Sequence, residues 1–340
     1  MKLLIIGDMH LKKITSDIEK SYRKRVFKFV KSVIEEHQIK DILQLGDFFD
    51  NRKNLDIQVY YDMLEQYKET FQGVKFLSLV GNHDSYYKST NDIFSTKILE
   101  KTIDNFFVVD KIKEMNNKVI CPWINEENIQ EFEQVLSDIK DKYLFGHFEI
   151  NGFTKVKGFE ETEGISVSKL KDAKQVFSGH FHLTQDRDNI HYVGSLFQEN
   201  FNDVHNFKRV MILDTKTDEL TDIRIPHTLF ERVSITDEEQ MTNDLINSFK
   251  NKIVQVIFNI PKSVKRERYH QKLLDTEISA DIKVIDNSAL LEEKVELNNT
   301  NDDIIEVFSD YVKASETIDD KRKEALKGVF VESFNKIKEL

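Results

Sequence analysis

The sequence predicts an α/β fold for its first 225 residues, a layered β-sandwich flanked by helices, followed by a small α+β domain and a C-terminal helical pair. Three observations predict it. Short apolar runs alternate with amphipathic segments from the start of the chain, the pattern of a sheet covered by helices. A helix-rich first half then gives way to a strand-rich second half. After Pro226, one of only three prolines, the order becomes strand, helix, strand, helix, strand, and then a polar stretch, LEEKVELNNTNDD, leads into two amphipathic segments. The expected organisation is a core over 1–228, a capping domain over 229–290, a linker over 291–300 and a helical region over 301–340.

Residues 3–6 read as a buried strand, and Ile18, Tyr22, Val26, Phe29 and Val33 follow at helical spacing. A second strand is expected at 42–45, a second helix is marked by Ile57, Tyr60, Tyr61, Leu64 and Tyr67, and a third strand falls at 76–80. Further strands are expected at 106–109, 118–121, 143–145, 175–178, 191–193, 209–213 and 222–225. In the capping domain, strands at 253–260 and 282–285 flank a basic helix. Thr300 with Asp303, and Thr317 with Asp320, have the form of capping boxes and start the last two helices. Those helices need their own domain or a partner to pack on.

Composition excludes several classes. The single cysteine, Cys121, allows no internal disulfide and no thiolate-rich zinc site, which fits a reducing cytoplasm. The opening MKLLII is too short for a signal-peptide core, and no run of 18 apolar residues occurs, so neither export nor a membrane span is expected. A net charge of -11 argues against coating nucleic acid by charge alone. The charge is uneven, however: residues 291–340 hold 13 acidic and 8 basic side chains, whereas SYRKRVFKFVK, from 21 to 31, has five basic residues and no acid. A second basic run, KSVKRERYHQK, follows Pro261.

One arrangement recurs five times: an apolar run, a glycine, then a potential metal ligand. The five are LLIIGDMH, ILQLGDFFD, FLSLVGNHD, YLFGHF and VFSGHFH. Ligands of open α/β sheets bind outside the carboxyl ends of strands, so all five can deliver side chains to one crevice. In VFSGHFH an extended backbone would aim His180 and His182 to one side and Phe181 to the other. Alone, that pair is as readily two hydrogen-bonded histidines near a turn.

The order D-x-H, G-D-x-x-D, G-N-H-D, G-H, G-H-x-H resembles that of the calcineurin-like metallophosphoesterases across roughly the first 200 residues. The resemblance implies the layered β-sandwich of that family and two divalent ions. Asp8, His10, Asp47 and His182 would hold one; Asp47, Asn82, His147 and His180 would hold the second, Asp47 bridging through its two oxygens. Two ions about 3.5 to 4 Å apart clamp a phosphodiester and activate water near neutral pH. Ligands of nitrogen and oxygen without thiolate favour Mn²⁺, with Mg²⁺ or Fe²⁺ as alternatives. By the same resemblance His83 steadies the transition state and protonates the leaving oxygen, and Asp50 is the carboxylate that pairs with it; Asp84 is expected to brace the GNHD turn.

The segments GDFFDNRK, VGNHDSYY, CPWINEEN, GHFEINGF, SGHFH and YVGSLFQENF are similar to those of the SbcD-type, or meiotic-recombination-eleven-type, DNA nucleases, including members from phages. In place of the G-D-x-x-D-R-G of the protein phosphatases, Asn51, Arg52 and Lys53 follow Asp50. GSLFQENF departs from the branch by lacking a proline after Gly-Ser. The resemblance implies a Mn²⁺-dependent DNA exonuclease and endonuclease, serving recombination, repair and replication in a bacterial cell infected by a phage. It further implies a homodimer within a heterotetramer whose C-terminal helices dock on an SbcC-type coiled-coil ABC ATPase. Arg23, Arg25, Arg52 and Lys53 are candidate contacts to DNA phosphates. Two readings stay open beside it: a phosphoesterase for a small phosphodiester or phosphoprotein, and a structural subunit that only senses DNA ends.

Overall fold

The computed structural model describes residues 2–156, 158–275 and 280–287, together with positions 308, 312, 322–324 and 326–330. The expected linker over 291–300 and both capping boxes lie outside the described residues. The chain divides into two compact units, one of 1–232, 246–255 and 277–283, the other of 233–245, 256–276 and 284–340.

The first unit's strands are, in chain order, β1 (Lys2–Ile6), β2 (Asp41–Gln44), β3 (Lys75–Leu79), β4 (Phe106–Val109), β5 (Lys113–Met115), β6 (Lys118–Ile120), β7 (Tyr143–His147), β8 (Thr154–Val156), β9 (Phe159–Glu160), β10 (Gln175–Gly179), β11 (Gln185–Arg187), β12 (Ile190–Tyr192), β13 (Arg209–Asp214) and β14 (Glu219–Arg224). They form two six-stranded sheets, β14-β13-β1-β2-β3-β4 and β11-β12-β10-β7-β6-β5, while β8 and β9 pair as a hairpin. Strands β1 to β4 run parallel, as do β6, β7, β10 and β12.

Period-two alternation stacks these sheets. Leu3, Ile5, Leu43, Leu45 and Leu79 of the first sheet meet Ile120, Tyr143, Phe145 and Phe177 of the second in a common apolar layer. The alternate residues Leu4, Ile6, Ile42 and Phe76 face helices α1 (Asp17–Glu36) and α2 (Ile57–Phe71) instead. Ser16 caps α1 by accepting from the Glu19 N–H, and Asp56 caps α2 from Gln58. Helices α3 (Lys97–Thr102) and α4 (Ile129–Ser137) were not expected from the sequence; α4 buries Phe132 and Val135 against the second sheet. The buried face of α2 also differs from expectation. It carries Val59, Met63, Tyr67 and Phe71, leaving Ile57 and Tyr61 exposed.

A buried guanidinium ties the sheets together at one edge. Arg209 of β13 donates to Asp186 of β11 at 2.7 and 2.8 Å, to Asp222 of β14 at 2.7 Å and to the Tyr192 carbonyl at 3.0 Å.

After β14 in sequence, β15 (Phe230–Ile235), β16 (Ile253–Phe258) and β17 (Asp281–Asp286) form a three-stranded sheet, with α5 (Asn243–Ser248) and α6 (Val264–Leu274) between strands in sequence. Within the basic α6, Arg266 is buried and paired with Asp286 at 2.6 Å. Near the C-terminus the rings of Phe308 and Phe330 stack with centroids 3.8 Å apart.

Burial alone would raise the Asp186 carboxyl, but His191 and Arg209 outweigh it and hold it well below the usual range. A carboxyl depressed in the folded state stabilises at pH above its unfolded value near 4, and that contribution disappears as pH falls through the folded value. Asp186→Asn should therefore cost about 1 kcal/mol at pH 7, a figure discounted for the half-exposed carboxylate. Urea unfolding across pH 2 to 7 should show the two proteins converging only at the acid end.

Candidate metal centre

All five glycine-ended motifs sit at carboxyl ends of parallel strands, three in the first sheet and two in the second. Asp8 and His10 follow β1, Asp47 and Asp50 follow β2, Asn82 and His83 follow β3, His147 ends β7, and His180 and His182 follow β10. The strand ends meet so closely, both within the first sheet and across to the second, that a Cβ is excluded at two of the glycines. A Cβ on Gly179 would lie 2.5 Å from both an Asp8 carboxylate oxygen and the Leu45 carbonyl, and one on Gly81 would lie 2.2 Å from the Asp47 nitrogen.

Local backbone conformation aims the side chains. His10, Asp47 and His180 have φ of +40°, +52° and +84°, left-handed values that non-glycine residues adopt only where surroundings enforce them. The Met9 and His10 N–H groups donate to the Asp47 carbonyl at 3.0 Å, locking the first two loops together. The conformation of His180 overturns the extended geometry expected for VFSGHFH. Strand β10 stops at Gly179, and the turn at His180 sends the two histidines into different clusters.

One cluster is Asp8, His10 and His182 and a second is Asp47, His147 and His180, while a third group, His10, Asp50 and His83, shares His10 with the first; in each the donor atoms lie within 4.8 Å of one another. Asn82 joins the second, its Oδ1 lying 2.8 Å from His147 Nε2 and 2.9 Å from His180 Nδ1. Asp47 stands between the clusters, with Oδ2 3.6 Å from His10 Nε2 and 3.4 Å from His147 Nε2. A single oxygen faces both sides, not one oxygen each, because Oδ1 accepts from the His83 N–H at 2.7 Å.

The donor set fits divalent cations. His147 Nδ1 donates to the Leu45 carbonyl at 2.8 Å, which leaves the Nε2 lone pair facing Asn82 and Asp47. Both ring nitrogens of His10 are buried without a hydrogen-bond partner. Burial would raise the Asp8 and Asp47 carboxyls, but His10 lowers the first and His147 the second. Burial would lower both imidazoles, but Asp50 and Asp8 outweigh it at His10, lifting that ring well above its ordinary value, and Asp47 lifts His147 to about 9. Burial and the neighbouring His10 push His182 down to about 4. The buried anions thus recruit positive charge, which cations at these nitrogens would replace.

Asp50 takes a different part from the one expected. Its backbone carbonyl, not its carboxylate, holds His83 Nδ1 at 2.6 Å, while the carboxylate lies 3.4 Å from His10 Nδ1. Asp84 does brace the turn: its carboxylate accepts from Phe48, Phe49 and Gly81 N–H groups at 3.0 to 3.1 Å. Arg23 is 4% exposed and committed to Glu19, Glu199 and the Met9 carbonyl, so it faces inward and not toward a phosphate. Arg25 and Arg52 are partly exposed and Lys53 is exposed.

Three residues escape the motifs. Lys208, buried in the loop before β13, donates to the His182 carbonyl at 2.8 Å, Ser195 Oγ at 2.9 Å and Asp203 at 2.5 Å, tying GSLFQENF to the ligand loop. Glu149 places a carboxylate oxygen 3.6 Å from His180 Nε2 and is held by Lys155 at 2.8 Å. Trp123 sits 5.1 Å, ring to ring, from His180. Glu149 and Trp123 fall inside the segments GHFEINGF and CPWINEEN, whereas Lys208 joins the site through tertiary contacts alone.

A family model for the calcineurin-like phosphoesterases matches residues 1–183. Among curated proteins, the chain is 27% identical over 348 residues to "Exonuclease subunit 1" of Enterobacteria phage T4, with 96% of each chain covered. Among solved structures it matches an archaeal phosphodiesterase at 12% identity and a TM-score of 0.34, over 66% of this chain and all of that one.

Gly179→Ala should force Asp8 or Leu45 aside and destabilise the fold by about 1 to 3 kcal/mol, the usual cost of overpacking. Chemical denaturation of the purified variant measures this directly.

Proposed function

Because the chain belongs to the calcineurin-like phosphoesterase family, a metal-dependent class of hydrolase, we propose that it is a DNA nuclease of the SbcD type working with Mn²⁺. The observation that carries the reading is the pair of adjoining donor clusters sharing Asp47 Oδ2. The phage T4 relative, an exonuclease subunit by name, supports DNA as the substrate and a partner subunit in the assembly. No helix among the described residues is long and apolar enough to cross a membrane, which agrees with action in the cytoplasm of an infected bacterium.

Asp8, His10, Asp47 and His182 are proposed to hold one ion, and Asp47, Asn82, His147 and His180 the other. When bound, two divalent ions supply a clamp for the phosphodiester and charge stabilisation for its attacking and leaving oxygens. The chain's own residues do the rest. His83 keeps a proton on Nδ1, because the Asp50 carbonyl only accepts, so Nε2 is the nitrogen free to gain or release one. Carried at Nε2, that proton is available to the leaving oxygen. Asp50 holds His83 through its carbonyl and sets its carboxylate 3.4 Å from His10 Nδ1. Arg52 and Lys53, just past this loop, are proposed to position the DNA backbone without reading sequence. Residues 229–290 would add a further DNA contact. The C-terminal helical region would bind an SbcC-type ABC ATPase, with two copies of this chain in the complex.

Linear duplex DNA with Mn²⁺ should be degraded by the purified chain, and His83→Ala should slow cleavage by about 10²- to 10⁴-fold with the metal content unchanged. Cleavage at the parent rate would remove His83 from the mechanism. Turnover of bis(4-nitrophenyl) phosphate without any cleavage of DNA would favour a small-diester substrate instead. Deleting residues 301–340 should abolish co-purification with the ATPase while Mn²⁺-dependent hydrolysis survives.

A further inference from the structure

A cavity of about 410 Å³ opens beside the second donor cluster. Its walls are mainly apolar: Trp123, Ile124, Ile129, Phe132, Leu136 and Ile165 line it. His147 also lines it, so the cavity is continuous with the donor cluster. Trp123 is the only tryptophan of the chain. Its indole lies 5.1 Å from the His180 ring and 5.9 Å from the His147 ring. The backbone fixes it there: Trp123 N–H donates to the Val80 carbonyl at 2.7 Å, and its own carbonyl accepts from Asn91 and Asn128 at 2.9 and 3.0 Å. Around the rim stand a few polar groups, Glu149, Ser166 and the Lys169–Glu133 pair at 3.0 Å.

We propose that this cavity receives one unpaired nucleobase, that of the nucleotide flanking the scissile phosphate, stacked against Trp123. The inference rests on the nuclease reading and deepens it. A base lies one sugar away from its phosphate, and here an aromatic platform lies one imidazole away from the proposed phosphate site. The volume suits a flat ring and its sugar and is within the range of small-ligand pockets. A base inside a duplex is stacked on both faces, so it reaches an apolar wall only when extruded or frayed at an end. Stacking on an indole accepts any base, since each has a π-face, which is what a nuclease without sequence preference needs. The site therefore selects strand ends and single-stranded stretches over the interior of a duplex.

The lone tryptophan is its own reporter. With Ca²⁺ in place of Mn²⁺ to slow cleavage, the intrinsic fluorescence of the full chain should be quenched saturably by a single-stranded oligothymidylate. An abasic strand of the same length and charge should leave it little changed. Equal responses, or none, would overturn the proposal. In Mn²⁺, Trp123→Ala should lower the ratio of kcat/KM for thymidine 5′-(4-nitrophenyl) phosphate over methyl 4-nitrophenyl phosphate by about tenfold to a hundredfold. Trp123→Phe should restore most of that ratio, and an unchanged ratio in Trp123→Ala would sink the idea. Failure of the parent chain to cut DNA, with the ratio still dependent on Trp123, would instead remove the nuclease reading and leave a nucleotide-binding phosphodiesterase.

Discussion

Two buried carboxylates, Asp8 and Asp47, govern this molecule. Taking an anion out of water is costly unless donors or opposite charge compensate. Here the compensation is built from backbone N–H groups and imidazoles. The His180 N–H donates to Asp8 at 3.1 Å and the His83 N–H to Asp47 at 2.7 Å. His10 Nε2 faces Asp8 at 3.7 Å and His147 Nε2 faces Asp47 at 3.4 Å. Each of these partners comes from a different strand end, so the chain stabilises its anions only when both sheets are in place.

That demand explains the irregular backbone at the site. Left-handed conformations at His10, Asp47 and His180 each carry strain. They persist because the surroundings leave no other choice: the Met9 and His10 amides are bound to Asp47, and Gly179 and Gly81 admit no Cβ. Support extends outward through Asp84 under the GNHD turn, Lys208 behind His182 and Glu149 behind His180. A site held from this many directions keeps its donors in position with little freedom to relax, which suits preorganised charge stabilisation.

Much of this was legible in the sequence. An apolar run, a glycine and a polar residue announce a strand end, and the five occurrences named every member of both clusters. What each side chain does there was less legible. Asp50 reads as a carboxylate partner for His83, yet the contact is made by its carbonyl, a choice set by how the loop after β2 folds back. Arg23 reads as a surface cation in a basic run, but its helix turns it inward onto Glu199, 176 residues away. The buried face of α2 was ambiguous because Ile57, Val59, Tyr60, Tyr61, Met63, Leu64 and Tyr67 are more apolar residues than one face can hold. Lys208 lies outside every quoted segment, and Trp123, although inside CPWINEEN, has no ligand-type spacing to single it out, since the importance of both lies in contacts with distant loops.

The bond between the Asp8 carboxylate and the His180 amide spans 172 residues of chain, and that between His147 and Leu45 spans 102. Such closures come late in folding, because loop entropy opposes them until the intervening strands have paired. During synthesis the first sheet's parallel strands emerge well before β7 and β10, carrying Asp8, His10, Asp47 and Asn82 without their partners. A growing chain therefore holds half a centre, with its acids still open to water. Only when residue 182 has left the ribosome can the centre close, so completion of the phosphoesterase site also marks the docking of its two sheets.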